Sequence, residues 1–185
     1  MTSYNLEEEL SKYVGKSAGE PFVALDEVNL PMIRHWCEAM GDRNPIYSDP
    51  KVARSYGHPG VVAPPAMLQA WGMRGLGFED PDKSSLRTTF DELMDLLNEN
   101  GYSSVVATNC DQSYGRYLRL GDRVVAHPTI ESISNLKTTG LGTGYFVTTT
   151  TQYKTPEGEQ IGFMKFRILK FSPKTTFNHA SNSTS

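Results

Sequence analysis

The strongest constraint on the fold is how this 185-residue chain divides. Up to residue 101 it carries helical patterns punctuated by Gly and Pro. Beyond that, residues 103–109, 123–134, 144–155 and 160–171 are four runs rich in Val, Thr, Ile, Tyr and Phe, the residues that suit a pleated, half-buried surface. Helices first and long strands afterwards predict an α+β domain with an antiparallel sheet. A sheet with one apolar face is buried most economically by a helix laid along it. The segment from Ala66 to about Met73, opened by Pro64-Pro65 and carrying Met67, Leu68 and Trp71, is the expected long central helix on a curved sheet. The expected layout is an N-terminal helical segment over 1–20, one domain over 21–173 and a disordered tail over 174–185.

Local signals place the other elements. Leu6, Leu10, Tyr13 and Val14 give a weak helical pattern that ends near Gly15, and residues 22–25 read as a short strand. Asn29 is a helix cap and Pro31 sits in the first turn, where a missing N–H costs little. Ile33, Trp36, Cys37 and Met40 then fall at i, i+3, i+4 and i+7 on one face before Gly41. Asp49 caps a short helix from Pro50 to about Tyr56. A further amphipathic helix runs from Phe90 to Leu97 and stops at Asn100-Gly101. Pro156-Glu157-Gly158 is a tight hairpin turn, and Gly140 to Gly144 leads into a strand, so it reads as a bulged hairpin rather than a phosphate loop.

Composition removes several classes of function. Charge is close to balance, 18 basic against 21 acidic residues, so no global field favours nucleic acid or an anionic membrane. No window approaches the roughly 20 apolar residues of a membrane span. Residues 1–13 hold three consecutive glutamates and no apolar core, unlike a signal peptide. Cys37 and Cys110 are too few for a disulfide framework and read as reduced core thiols of a cytoplasmic protein. No His or Cys spacing suggests a metal site, and no cofactor is expected. Of the histidines, His35 is expected at an exposed or interfacial position and His58 in a solvent-facing turn, Gly57-His58-Pro59-Gly60.

The chemistry is concentrated in Gly41-Asp42-Arg43-Asn44-Pro45-Ile46-Tyr47, followed by Ala53 and by Gly57 through Pro65. Asp42 has two readings: a general base, or a structural carboxylate holding the Asn44-Pro45 turn. Tyr47 is a poor base at neutral pH, since a phenol ionises near pH ~10. It donates a hydrogen bond or packs against a cavity wall. Pro64-Pro65 strips two N–H groups from a helix start that would otherwise face an oxyanion, leaving those of Ala66 and Met67. Ser113-Tyr114-Gly115 lacks the strand-elbow-helix context of a nucleophilic serine.

The Gly41–Ala53 run with the Gly57–Pro65 stretch resembles the hydratase-2 signature of MaoC-like hot-dog proteins. Three further stretches, 29–33, 106–118 and 166–171, resemble the MaoC-like N-terminal domain in the larger subunit of actinobacterial steroid side-chain enoyl-CoA hydratases. The resemblance covers about residues 20 to 173. It implies a hot-dog domain. In active members an Asp and a His add water across a 2-enoyl-CoA double bond while a helix N-terminus holds the thioester oxygen. Here Tyr47 stands in the histidine's place, and Pro65 where glycine is usual. The resemblance therefore implies a non-catalytic or weakly catalytic subunit, paired with a smaller MaoC-like subunit that carries the intact Asp/His dyad. The pair would be a heterodimer or heterotetramer acting on an acyl-CoA.

The candidate site is accordingly Asp42 as a residual catalytic group, with Asn44, Tyr47, Ala63, Pro65, Ala66, Met67 and Met73 around the substrate. Residues 74–100 are extra polypeptide that would roof a wide pocket with Met73, Leu76, Phe78 and Leu97, or form a satellite core. Two other functions stay open. One is a self-sufficient hydratase using Asp42 with Tyr47 or His58. The other is a hot-dog acyl-CoA thioesterase using Asp42 to activate water, because one fold hosts both chemistries. Oligomerisation is expected from an open sheet edge, with the Thr148–Thr151 run near that edge or on the outer face.

Overall fold

Side-chain alternation along the strands decides the layers. The computed structural model describes residues 5–73 and 87–174. Its elements in chain order are α1 (Leu6–Ser11), β1 (Phe22–Val23), α2 (Leu30–Met40), α3 (Pro50–Ser55), α4 (Leu68–Trp71), α5 (Thr89–Glu99), β2 (Ser104–Tyr114), β3 (Val125–Ile133), β4 (Lys137–Thr138), β5 (Gly142–Lys154) and β6 (Gln160–Pro173). The strands form one six-stranded sheet in the order β1-β3-β5-β6-β2, with β4 paired to β5. Every pairing is antiparallel. The α+β expectation holds.

Register places Tyr145, Val147 and Tyr153 of β5 level with Lys170, Ile168 and Gly162 of β6, and Ile130 and Ala126 of β3 level with Thr149 and Tyr153. These positions share one face, and that face carries two apolar clusters. One gathers Ala126, Tyr153 and Met164 under Ile33 of α2, Ala53 of α3 and Leu68 and Trp71 of α4. The other gathers Ile130, Tyr145, Val147 and Ile168 under Leu10 of α1 and Leu93 and Leu97 of α5. Register shifts between Ala107 and Asn109, Ile130 and Ser132, and Tyr153 and Lys154 bend the sheet around these helices.

The central helical segment is shorter than the Ala66–Met73 pattern suggested. A 3-10 turn, Pro65–Met67, runs into the four residues of α4, which stops at Gly72. The second half of the face is covered instead by α5, eleven residues long, whose Thr88 and Asp91 form a reciprocal capping box. Its far end is tied down by Lys170, only 4 % exposed, whose ammonium donates to Asn98 Oδ1 at 2.6 Å and Ser103 O at 3.1 Å. Burial lowers the pKa of this lysine.

Three placements differ from expectation. The Thr148–Thr151 run is not at an edge: β5 lies in the middle of the sheet, and β2 is the long edge strand. β2 continues to Tyr114, five residues past the apolar run, because an edge strand needs no apolar alternation there. Cys110, expected in the core, is therefore exposed on that edge, while Cys37 is partly buried; both are free thiols. The final strand reaches Pro173, two residues past the apolar run that ends at Phe171. The hairpins at Gly140–Gly144 and Pro156–Gly158 form as expected, with Gly158 at φ 93° closing the second.

Candidate functional site

The local sequence builds the Asp42 loop step by step. Asn29 caps α2 through a 3.0 Å bond from Met32 N–H, and Gly41 ends it at φ 66°, the left-handed conformation that costs glycine least. The Asp42 N–H then returns to Cys37 O at 2.9 Å. One carboxylate oxygen of Asp42 accepts the Asn44 N–H at 3.0 Å, and the Asn44 side chain accepts the Ile46 N–H at 3.2 Å. These two Asx turns lead into a 3-10 turn, Pro45–Tyr47. Asp42 therefore does hold the Asn44-Pro45 turn.

A cleft of about 480 Å³ opens beside this loop. One wall is a face of α2 carrying Leu30, Arg34, Cys37 and Glu38; the other is Gly41 through Asn44 with Tyr47 and Ser48. Tyr47 is 8 % exposed and reaches back into the apolar cluster that holds Ala63 and Met67. Burial, reinforced by Tyr117, Asp42 and Cys37, pushes its phenol up to about 12. The Cys37 thiol is raised as well, by burial and then by Asp42. At neutral pH both are uncharged donors; neither is a base nor a thiolate nucleophile.

Tyr117 is the neighbour that local sequence did not point to, lying seventy positions from Tyr47. It also meets His58 edge-on, ring centroids 4.8 Å apart. His58 is thus half-buried against an aromatic ring, not a free turn residue. The loop bearing Tyr117 is pinned by Arg116, which bonds Asp122 at 2.5 Å, Glu159 at 2.9 Å and its neighbour's carbonyl Tyr117 O at 3.0 Å. That pairing raises the arginine's pKa and lowers that of Glu159.

The remaining predicted site residues divide. Asp42, Asn44 and Tyr47 share the cleft. Ala63 and Met67, 1 % and 0 % exposed, lie behind Tyr47 in the core. Pro65 and Ala66 lie at the outer surface of the central helical turn, and Met73 is 63 % exposed; these three do not line the cleft. The Met67 N–H is taken by Pro64 O at 2.9 Å, so of the two donors expected after the prolines Ala66 alone remains. Leu97 is fully buried with Leu93 in the second core cluster, a packing role rather than a pocket wall. Leu76, Phe78, His179 and the tail from 175 lie outside the described residues. Among the described residues no group of three or more His, Cys, Asp or Glu is placed to hold a metal ion, and no helix is long and apolar enough to cross a membrane.

Comparison with known proteins agrees with this architecture. Residues 18–163 match the family described as FAS1-like, dehydratase domain region. A probable enoyl-CoA hydratase alpha subunit of Thermomonospora curvata is 44% identical over 179 residues, 95% of this chain and 55% of that protein. The 3-oxo-4,17-pregnadiene-20-carboxyl-CoA hydratase alpha subunit of Mycobacterium tuberculosis is 41% identical over 169 residues, 91% of this chain and 53% of that protein. The chain spans about half the length of these curated relatives. A chain in the crystal structure of the ChsH1-ChsH2 complex from Mycobacterium tuberculosis is 43% identical, with a TM-score of 0.80 and coverage of 91% of this chain and 92% of that one. The (R)-hydratase from A. caviae, 14% identical at a TM-score of 0.54 over 91% of this chain and 98% of its own, shares the fold. With a family match across most of its length, an antiparallel sheet wrapped on helices and two relatives above 40% identity, this chain belongs to the FAS1-like dehydratase-domain family of MaoC-like hot-dog proteins.

Proposed function

We propose that this chain is the pocket-forming, non-catalytic or weakly catalytic subunit of a heteromeric 2-enoyl-CoA hydratase in the cytoplasm. A smaller MaoC-like hot-dog subunit supplies the intact Asp/His dyad. In the reaction, that dyad takes a proton from water, the hydroxide adds to the β-carbon, and a proton is delivered to the α-carbon of the thioester enolate. The observation that carries the reading is Tyr47. Beside Asp42, where active members hold a histidine, stands a buried phenol raised to about 12. Such a group donates a hydrogen bond to a carbonyl but stays protonated at neutral pH and cannot take a proton from water.

Freed from holding a compact active site, this half shapes the acyl pocket. Asn44, Tyr47, Ala63, Pro65, Ala66, Met67 and Met73 are the proposed substrate-side residues, and the substrate is a bulky, ring-bearing enoyl-CoA of the steroid side-chain class. The substrate for which the Mycobacterium tuberculosis relative is named and the ChsH1-ChsH2 complex support this choice. Burying a few hundred square ångströms of fused ring supplies about 5 kcal/mol or more before association costs. The test is hydration by the purified chain alone, by the small subunit alone and by the pair. The pair should hydrate, the chain alone should not, and a steroid-sized enoyl-CoA should have a higher kcat/KM than a four-carbon one. Full activity of this chain alone sinks the assignment; equal kcat/KM for the two substrates sinks the bulky pocket.

One observation favours a second reading. His58 reaches Tyr47 through Tyr117, so a self-sufficient hydratase would use Asp42 with His58. Loss of an intrinsic activity in His58→Gln would select it.

A further inference from the structure

The sheet face turned away from the helices holds a second cavity, of about 460 Å³, which shares no residue with the Asp42 cleft. Strand register builds it. Ser132 of β3, Thr148 of β5 and Arg167 of β6 lie level in one row across three adjacent strands. Val147 and Ile168, their chain neighbours, pack under the helices, so alternation turns the row to the opposite side. Phe146, two positions along β5, and Lys137 and Thr138 of β4 line the same cavity.

The lining carries two cations and no acidic residue. The Arg167 guanidinium lies over the Phe146 ring, 5.0 Å from its centroid, and bonds only neutral acceptors: Nη2 to Asn109 Oδ1 at 2.5 Å and Nε to Thr108 Oγ1 at 3.3 Å. Its charge is thereby oriented without being neutralised, and Nη1 is left to donate. Lys137 makes no hydrogen bond or ion pair among the described residues, and the carboxylate of nearby Glu131 is taken by Lys165 at 2.6 Å. Thr148 is only 6 % exposed, yet its hydroxyl has no hydrogen-bond partner among the described residues. A buried hydroxyl left unpaired is costly, and this one stands in the cavity between the two cations' strands. Guanidinium, ammonium and hydroxyls together match the several acceptor oxygens of a phosphate. The cavity is large for a lone phosphate, and its remaining hydroxyls both donate and accept, as those of a sugar require. The Phe146 ring is taken by Arg167, so the lining favours a hydroxylated body over a stacked base.

We propose that this cavity is a binding site for a sugar phosphate, with Arg167 and Lys137 holding the phosphate and Ser132, Thr138 and Thr148 meeting the hydroxyls. The site draws nothing from the hydratase reading. Its ligand is read by binding, so the failure of either proposal leaves the other standing.

The experiment is calorimetric titration of the full chain, in its native assembly and at fixed ionic strength, with ribose 5-phosphate, ribose, inorganic phosphate and AMP. Ribose 5-phosphate should bind saturably, once per chain, and more tightly than the other three. Arg167→Gln and Lys137→Gln should each weaken it by about 10- to 100-fold, the size expected for charge-assisted hydrogen bonds. Both side chains are exposed, and an unchanged melting temperature checks that the variants remain folded. Thr148→Val separates binding from structure. It removes an unpaired hydroxyl at nearly constant shape, so the melting temperature should hold or rise while affinity falls by about 2- to 10-fold. No saturable binding of ribose 5-phosphate, or binding indifferent to Lys137→Gln and Thr148→Val, would overturn the proposal. So would inorganic phosphate or ribose binding as tightly as ribose 5-phosphate, or AMP binding more tightly.

Discussion

Gly162 on β6 sets how closely α4 lies on the sheet, and replacing it with alanine measures that contact. A Cβ built there falls 2.3 Å from Leu68 Cδ2 and 3.0 Å from Ser113 O. Carbon atoms in contact sit about 3.5–4.0 Å apart, so Leu68 must retreat by more than about 1 Å. It has little room, being 3 % exposed between Met67 at 0 % and Trp71 at 4 %. The backbone oxygen on the other side cannot move without opening the β2–β6 ladder. Overpacking of this kind costs about 1–3 kcal/mol. At roughly 2–4 °C per kcal/mol for a domain of this size, Gly162→Ala should melt about 2–12 °C below wild type. Gly60→Ala is the control, because a Cβ there meets nothing within 4 Å. Both are read by calorimetry at one protein concentration. A Gly162→Ala melting temperature within about 1 °C of wild type would refute the close approach.

The remaining expectations concern assembly, catalysis and pH. β2 presents eleven residues at an unpaired edge, with Val105 and Tyr114 59 % and 43 % exposed; this chain should therefore self-associate or pair with its partner, and light scattering that finds a stable monomer at micromolar concentration contradicts it. Asp42→Ala should cost the heteromer less than about tenfold in turnover, whereas removing the partner's dyad should abolish it; a loss of several orders of magnitude for Asp42→Ala makes this chain catalytic. Tyr47, Tyr145 and Tyr153 are each raised to about 12, mainly by burial. The folded state thus keeps three protons that the unfolded chain releases near pH ~10, so their contribution to stability is intact below about pH 10 and lost as pH rises towards 12. In a phenolate absorbance titration these three of nine tyrosines should ionise late; all nine titrating together near pH ~10 with the fold intact would count against it.

Caps and turns were the legible part of this sequence because their causes are local. Asn29, Pro31 and Gly41 bound α2, and Asp49 caps α3 by accepting the Lys51 N–H at 2.7 Å. β-branched runs marked the strands for the same reason. Strand order was not legible: the Thr148–Thr151 run suits an outer strand by its polarity, yet pairing on both sides places it in the middle. In the site, the motif located Asp42 and Tyr47, and helical spacing from Leu30 to Arg34 and Glu38 was available to mark the cleft wall. Tyr117 was not, since its loop is brought across by long-range contacts: the Arg116–Asp122–Glu159 ion pairs, spanning forty-three positions, and the bond from the Ala63 N–H to Leu118 O.

The two apolar clusters rest on one sheet face but under different helices, and that division has an evolutionary reach. α1 and α5 are anchored at Ile130, Val147 and Ile168, while the Asp42 loop, α3 and α4 are anchored at Ala126, Tyr153 and Met164. Amide exchange should accordingly resolve two units of opening joined by β5 and β6. A lineage can then lengthen, shorten or replace the α5 side while the half that carries the Asp42 loop keeps its geometry. Change on one side of the sheet and constancy on the other become separately heritable traits of one small domain.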